Sequence, residues 1–276
     1  TAPVYGISQE KPLKPGQIYA NVNVRKVGKP MSIGTAIVIT SGKGGTGKTS
    51  TAAGVAACLA AMGKRTLCID ADIGLRNLDL TLGMTDQALM DFTDVIQGRC
   101  SLEKAAAAHK GLQNLYLITA PVTLPAGVDE DGMRRLMRRV RETFDYCIID
   151  CPAGVGTGFR LATCAADRAI VVCNADAAAL RDGQAAVQRL AGLNIPMHLV
   201  VNRVKPRLLR KLRLNVDDAM DQTGLPLLGM VPEDEAVTLA AARGVSLITV
   251  ARKGAAQAYY NIARRITGQR VPLMRI

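Results

Sequence analysis

Residues 36–51, "AIVITSGKGGTGKTST", pass from a continuous apolar run through a glycine-rich turn into a segment that opens a helix. Within them, residues 42–49 satisfy G-x-x-x-x-G-K-[ST] in the setting that motif requires, a strand before it and a helix after it. Gly42, Gly44, Gly45 and Gly47 let the backbone curl so that successive N–H groups face a phosphate, and the positive end of the helix adds to the same spot. Lys48 then reaches the β- and γ-phosphates of a bound nucleotide, the Thr49 hydroxyl ligates Mg²⁺, and Thr46 and Ser50 complete the loop. A second lysine, Lys43, stands five residues before the one that ordinarily binds phosphate. The motif alone does not explain it.

The surroundings bound the answer. A chain of 276 residues with 49% hydrophobic composition can bury one sizeable core, and a single large domain is expected ahead of two small ones. No apolar run approaches the roughly 18 residues that span a bilayer, and the N-terminus lacks the basic-then-apolar layout of a secretory signal, so a soluble, cytoplasmic chain is expected. Seven cysteines without a C-x-x-C pair read as reduced core thiols. The net charge of +12 favours a polyanion, either nucleic acid or an anionic lipid surface. With 3% aromatic residues and no Trp, no base-stacking platform is expected and any nucleic-acid contact should fall on the phosphate backbone.

Six continuous apolar runs, at 36–40, 65–70, 115–120, 145–150, 169–174 and 198–202, alternate with helical stretches. Continuous rather than alternating apolarity marks strands buried on both faces, which predicts an α/β fold: a doubly wound, mostly parallel sheet flanked by helices. Val55, Leu59 and Met62 recur at helical spacing before Gly63, and Ala255, Tyr259, Ile262 and Ile266 do the same before Gly268. Residues 1–30, rich in Pro, Gly and Lys, read as an extension in which "IYANVNV" would form an edge strand; residues 31–268 form the nucleotide-binding domain, and 269–276 a short tail. Arg134, Arg135, Arg138, Arg139 and Arg141, and a second cluster from 203 to 213, are candidate polyanion contacts.

The stretch "SGKGGTGKTS" resembles the deviant phosphate loop of the MinD/ParA family of ATPases, whose signature is the additional lysine. "DIGLRNLDL" (72–80), "DCPAGVGTG" (150–158) and "DFTDVIQG" (91–98) resemble that family's two switch segments and a stretch favouring its MinD branch over plasmid-partition relatives. The resemblance spans residues 31–270. It implies an ATP- and Mg²⁺-dependent homodimer in which Lys43 crosses to the phosphates of the facing subunit. Asp72 then orients the attacking water and joins Thr49 and Asp150 around the metal, while Asp70 supports the phosphate loop. Asn202, Pro232, Glu233 and Asp234 hold the base, and Arg181 and Asp182 lie near the dimer and partner surface. The implied role is an ATPase switch that positions the division septum with MinC-like and MinE-like partners, docking on the inner membrane surface when ATP-bound. The family's amphipathic C-terminal helix is matched only by "QRVPLMRI", an expected weak or incomplete anchor. The alternative is a ParA-like ATPase that binds DNA nonspecifically for chromosome, plasmid or cargo segregation.

Overall fold

The computed structural model describes residues 33–205 and 216–274. The expectations for residues 1–30, for the basic residues from 206 to 213, and for Arg275 and Ile276 lie outside the described residues. The six apolar runs become β1 (Thr35–Thr40), β2 (Thr66–Asp70), β4 (Leu115–Ile118), β5 (Tyr146–Asp150), β6 (Arg168–Asn174) and β7 (Met197–Val204). Two further strands are β3 (Ala107–Ala108) and β8 (Leu227–Pro232). Together they form one sheet in the order β3-β4-β2-β5-β1-β6-β7-β8, parallel throughout except for the β3–β4 pair. The chain winds outward from β1 in both directions, so the crevice at the carboxyl end of β1, between β5 and β6, is where such a sheet binds ligands.

Side-chain alternation along the strands separates two cores. Val38, Ile69, Ile149 and Val171 face one side, where they meet α3 (Phe92–Ile96), α4 (Leu102–Ala105), α5 (Glu130–Thr143), α6 (Thr157–Thr163), α7 (Ala177–Leu190) and α8 (Val216–Thr223). Ile37, Ile39, Cys68, Ile148 and Val172 face the other, against α1 (Lys48–Ala61), α2 (Leu78–Leu82), α9 (Glu235–Ala242), α10 (Leu247–Val250) and α11 (Ala255–Ile266). This double cover explains why the strand runs are apolar without interruption. All seven cysteines are free, and burial pushes the Cys151 thiol, beside the nucleotide motif, up to about 12. Such a thiol is inert at neutral pH.

Two helices fix the strand that carries the motif. Arg141 of α5 pairs with Asp167 at 2.9 Å, and Asp167 accepts the Ala36 N–H at 2.7 Å, which ties down the start of β1. Helix α1 is rich in small residues, and every residue from 51 to 60 is buried between the sheet and α11. Small side chains allow that close approach. At Gly54 an added Cβ would stand 2.3 Å from the Tyr259 ring of α11. Helix propensity alone predicts that Gly54→Ala gains about 1 kcal/mol. Overpacking against a fully buried ring reverses the sign, so urea unfolding of Gly54→Ala is expected to show a loss of about 1–3 kcal/mol. In a Tyr259→Leu background most of that loss should disappear; a stabilising Gly54→Ala would contradict the packing.

Candidate nucleotide site

The phosphate loop spans the turn from β1 to α1, with Gly45 at φ 76° and Gly47 at φ 91°. These left-handed conformations are open to glycine at little cost. No atom lies within 4 Å of where a Cβ would stand on Gly44 or Gly45, so the crown of the loop faces open space. The helix behind it begins without a side-chain cap. Helices α5, α7 and α9 are each capped by an aspartate, Asp129, Asp176 and Asp234, whereas α1 starts at Gly47 with no side-chain cap and no acid in its first turn. Its first N–H groups and the positive end of its dipole are left for an anion.

Both lysines are held by their own chain. Lys48 is 8% exposed, with Nζ 3.5 Å from the Lys43 carbonyl, and the Ser41 hydroxyl donates to that same carbonyl at 2.6 Å. Lys43 lies outside the cradle, its side chain 45% exposed and its Nζ 3.7 Å from Asp182 of α7. Gly42 is pressed against the Asp182 backbone, where a Cβ would meet the carbonyl oxygen at 1.9 Å. Ser50 sits in the first turn of α1 and lines a narrow crevice with Thr81, Val237 and Tyr259.

Three carboxylates close the site. Backbone bonds from Cys151 N to Ile39 O (3.0 Å) and from Ala71 N to Asp150 O (3.0 Å) bring the ends of β1, β2 and β5 together. Asp150, 2% exposed, lies beside the Thr49 hydroxyl, and burial pushes its pKa up to about 7. Its Oδ1 is buried and has no hydrogen-bond partner among the described residues, and neither has the Thr46 hydroxyl. Asp72 is partly exposed, its carboxyl raised by burial and opposed by the charge of Lys48. Among the described residues no three His, Cys, Asp or Glu side chains assemble a metal cage. The donor set fits Mg²⁺ all the same, because that ion keeps several waters and takes one or two protein oxygens plus phosphate oxygens. Thr49 and the orphaned Asp150 oxygen are such donors.

Asp70 has a different task from the one expected of it. Its carboxylate accepts from Asp72 N (2.9 Å) and Leu78 N (3.1 Å), clasping both ends of the switch segment rather than supporting the phosphate loop. The residues expected at the base also divide. Asn202 is brought to the loop, donating through Nδ2 to the Thr46 carbonyl at 2.8 Å. Pro232 ends β8, and Glu233 pairs with Lys205 at 3.0 Å. Asp234 is committed to the fold: it caps α9 at Ala236 N and accepts from Ala255 N at the start of α11, both at 2.9 Å. Asn174, at the same register as Asn202 on the adjacent strand, has a buried Oδ1 without a partner among the described residues. His198 is half-buried at the start of β7. His109 uses both ring nitrogens: Nε2 meets Leu82 O at 3.0 Å and Nδ1 accepts from Gly111 N and Leu112 N.

The buried acids give the fold a pH dependence of definite sign. Asp70, pushed up to about 6, and Asp150, at about 7, hold protons more tightly folded than unfolded. Their contribution is therefore fully present below the ordinary carboxylate range and is lost as pH rises through 6 and 7. With no nucleotide added, the unfolding free energy of the unsubstituted protein minus that of Asp150→Asn should fall between pH 5 and pH 8. A difference that stays flat or rises would contradict the burial assigned to Asp150.

The family pattern of the CobQ/CobB/MinD/ParA nucleotide binding domain matches residues 37–248. The septum site-determining protein MinD of Bacillus subtilis is 40% identical over 250 residues, covering 87% of this chain and 92% of the relative. A solved structure of the MinC:MinD cell division protein complex from Aquifex aeolicus superposes with a TM-score of 0.81 at 34% identity, covering 87% of this chain and 98% of that one. The septum site-determining protein MinD of Pyrococcus horikoshii, solved in complex with Mg-ADP, superposes with a TM-score of 0.73 at 28% identity, covering 84% and 95% of the two chains. The open glycine cradle, its two lysines and the carboxylates beside it thus have a lineage, and the chain belongs to the CobQ/CobB/MinD/ParA nucleotide-binding family, on its MinD branch.

Proposed function

We propose that this chain is a MinD-like ATPase switch, which dimerises around ATP, acts at the inner membrane surface in placing the division septum, and is released by hydrolysis. The observation that carries the reading is the disposition of the two lysines. Lys48 is buried against the loop it serves, whereas Lys43 is held outside by an ion pair whose partners are 45% and 41% exposed. A pair of that exposure is worth about 0–1 kcal/mol. The phosphate charge of a facing subunit outweighs it, so Lys43 is free to change partner when two ATP-loaded copies meet. Leu75, Val122 and Val155, on three loops following β2, β4 and β5, are 67%, 69% and 56% exposed. They supply apolar surface around the same crevice for a second copy.

In the hydrolytic step Asp72 accepts a hydrogen bond from the water that attacks the γ-phosphorus in line, while Lys48 and the partner's Lys43 meet the charge that develops on the γ-oxygens. Thr49 and Asp150 would hold Mg²⁺, which would supply positive charge to offset that of the phosphate chain. Partners of the MinC and MinE type follow from the same reading, the former supported by the Aquifex complex. No helix among the described residues is long and apolar enough to cross a membrane, which fits peripheral docking. In the tail, Arg265 donates to the Val271 and Pro272 carbonyls, and Met274 packs on the core.

One observation favours DNA as a second reading. On α5, Arg134 is paired with Glu130 and Asp131, and Arg141 with Asp167. Arg135, Arg138 and Arg139 are exposed and have no ion pair among the described residues. They form one cationic face.

Solution mass with nonhydrolysable ATP should double relative to ADP, and Lys43→Ala should abolish the doubling while weakening monomeric nucleotide binding less than about threefold, since an exposed charge contributes little there. Equal loss of both would refute the cross-subunit role. Sedimentation with anionic vesicles should require ATP; an ATP-independent, steeply salt-dependent gel shift with duplex DNA, without vesicle binding, would favour the second reading.

A further inference from the structure

The phosphate loop has few points of attachment to the rest of the fold. Its crown, residues 43–45, is exposed, and a Cβ added at Gly44 or Gly45 would meet nothing within 4 Å. At one end Gly42 presses on Asp182 of α7. At the other, the loop reaches past β6 to β7, where the Asn202 amide donates to the Thr46 carbonyl at 2.8 Å. Both residues are buried, Thr46 at 2% and Asn202 at 4% exposure. The fit is close: a Cβ on Gly47 would lie 2.2 Å from Asn202 Nδ2. The amide therefore occupies the space that a side chain at position 47 would need, directly beneath the last peptide units before α1.

We propose that Asn202 is a positioning residue for the phosphate loop, fixing it through Thr46 before any ligand arrives, so that its loss weakens every phosphate-chain ligand whether or not a base is attached. This rests on the nucleotide-binding reading above and changes the part Asn202 plays in it. A base contact alone would leave the loop indifferent to the amide. An anchor makes the loop's order depend on it: without the amide the buried Thr46 carbonyl loses its donor, the crown gains freedom, and binding must then supply the ordering. The amide acts at a distance from the phosphates, through the backbone.

The test compares Asn202→Ala and the nearly isosteric Asn202→Leu with the unsubstituted full chain, titrating MgATP and magnesium tripolyphosphate by calorimetry below the melting transition. Hydrogen exchange of the ligand-free protein is followed in parallel. Both ligands should weaken about three- to tenfold, the range expected for one buried hydrogen bond. Amides of residues 43–48 should exchange faster while those of the β6–β7 ladder do not change, a pattern that general destabilisation would not give. If only MgATP weakens, tripolyphosphate binds as before and loop exchange is unaltered, the anchor is overturned and Asn202 serves the base alone. If the unsubstituted protein binds neither ligand, the nucleotide reading fails, and loop exchange alone still decides whether Asn202 holds the loop. The leucine variant guards against a cavity that prevents the alanine variant from folding.

Discussion

The first turn of α1 carries N–H groups that no side chain caps, and the rest of the structure is arranged to keep them where they are. At α5, α7 and α9 an aspartate takes that place. Here glycine does, and the helix behind it is buried along residues 51–60 between the sheet and α11, so it cannot shift to satisfy its own end. Burial on two sides supplies the rigidity, and Gly54 against Tyr259 shows how little room is left. A set of unmet donors at the carboxyl end of the central strand is an anion site by construction.

Charge is then distributed around that end in two shells. Lys48, Asp150 and Asp70 are buried, and the two acids are raised to about 7 and about 6 because they have been taken out of water with too few donors. They hold a mismatch that a cation and a phosphate chain would resolve. Lys43 and Asp72 lie further out, where solvent screens them and their partners are exchangeable. The inner shell suits tight binding of one ligand, and the outer shell suits contacts that form and break with the state of that ligand.

Much of this was legible in the sequence. The six buried strands announced themselves because a doubly covered sheet needs apolar side chains on both faces, and the loop because glycine takes left-handed backbone angles at little cost. Strand β8 was missed: Gly229 breaks its apolar run, and the reason lies on α11, where Ile262 would stand 2.6 Å from a Cβ at that position. The two-residue β3 is too short to leave a pattern. At the site, the motif identified the atoms that meet phosphate but not the tertiary contacts that hold them. The pairing of Lys43 with Asp182, the clasp of Asp70 on Asp72 and Leu78, and the reach of Asn202 to Thr46 join residues 139, up to 8, and 156 positions apart in the chain. Local pattern carries no trace of such pairs. The resemblance assigns Asp234 to the base, whereas the Ala236 and Ala255 N–H groups that it accepts from make it a junction between helices.

In the proposed switch, a nucleotide gripped by one chain's loop is completed by the second lysine of a facing copy. A crystal structure grown with Mg²⁺ and a nonhydrolysable ATP analogue tests it most directly. Lys43 should have left Asp182, and its Nζ should lie within hydrogen-bond distance of the phosphate chain held by a facing copy. Lys43 still on Asp182, with the phosphates touched by a single chain, would contradict it.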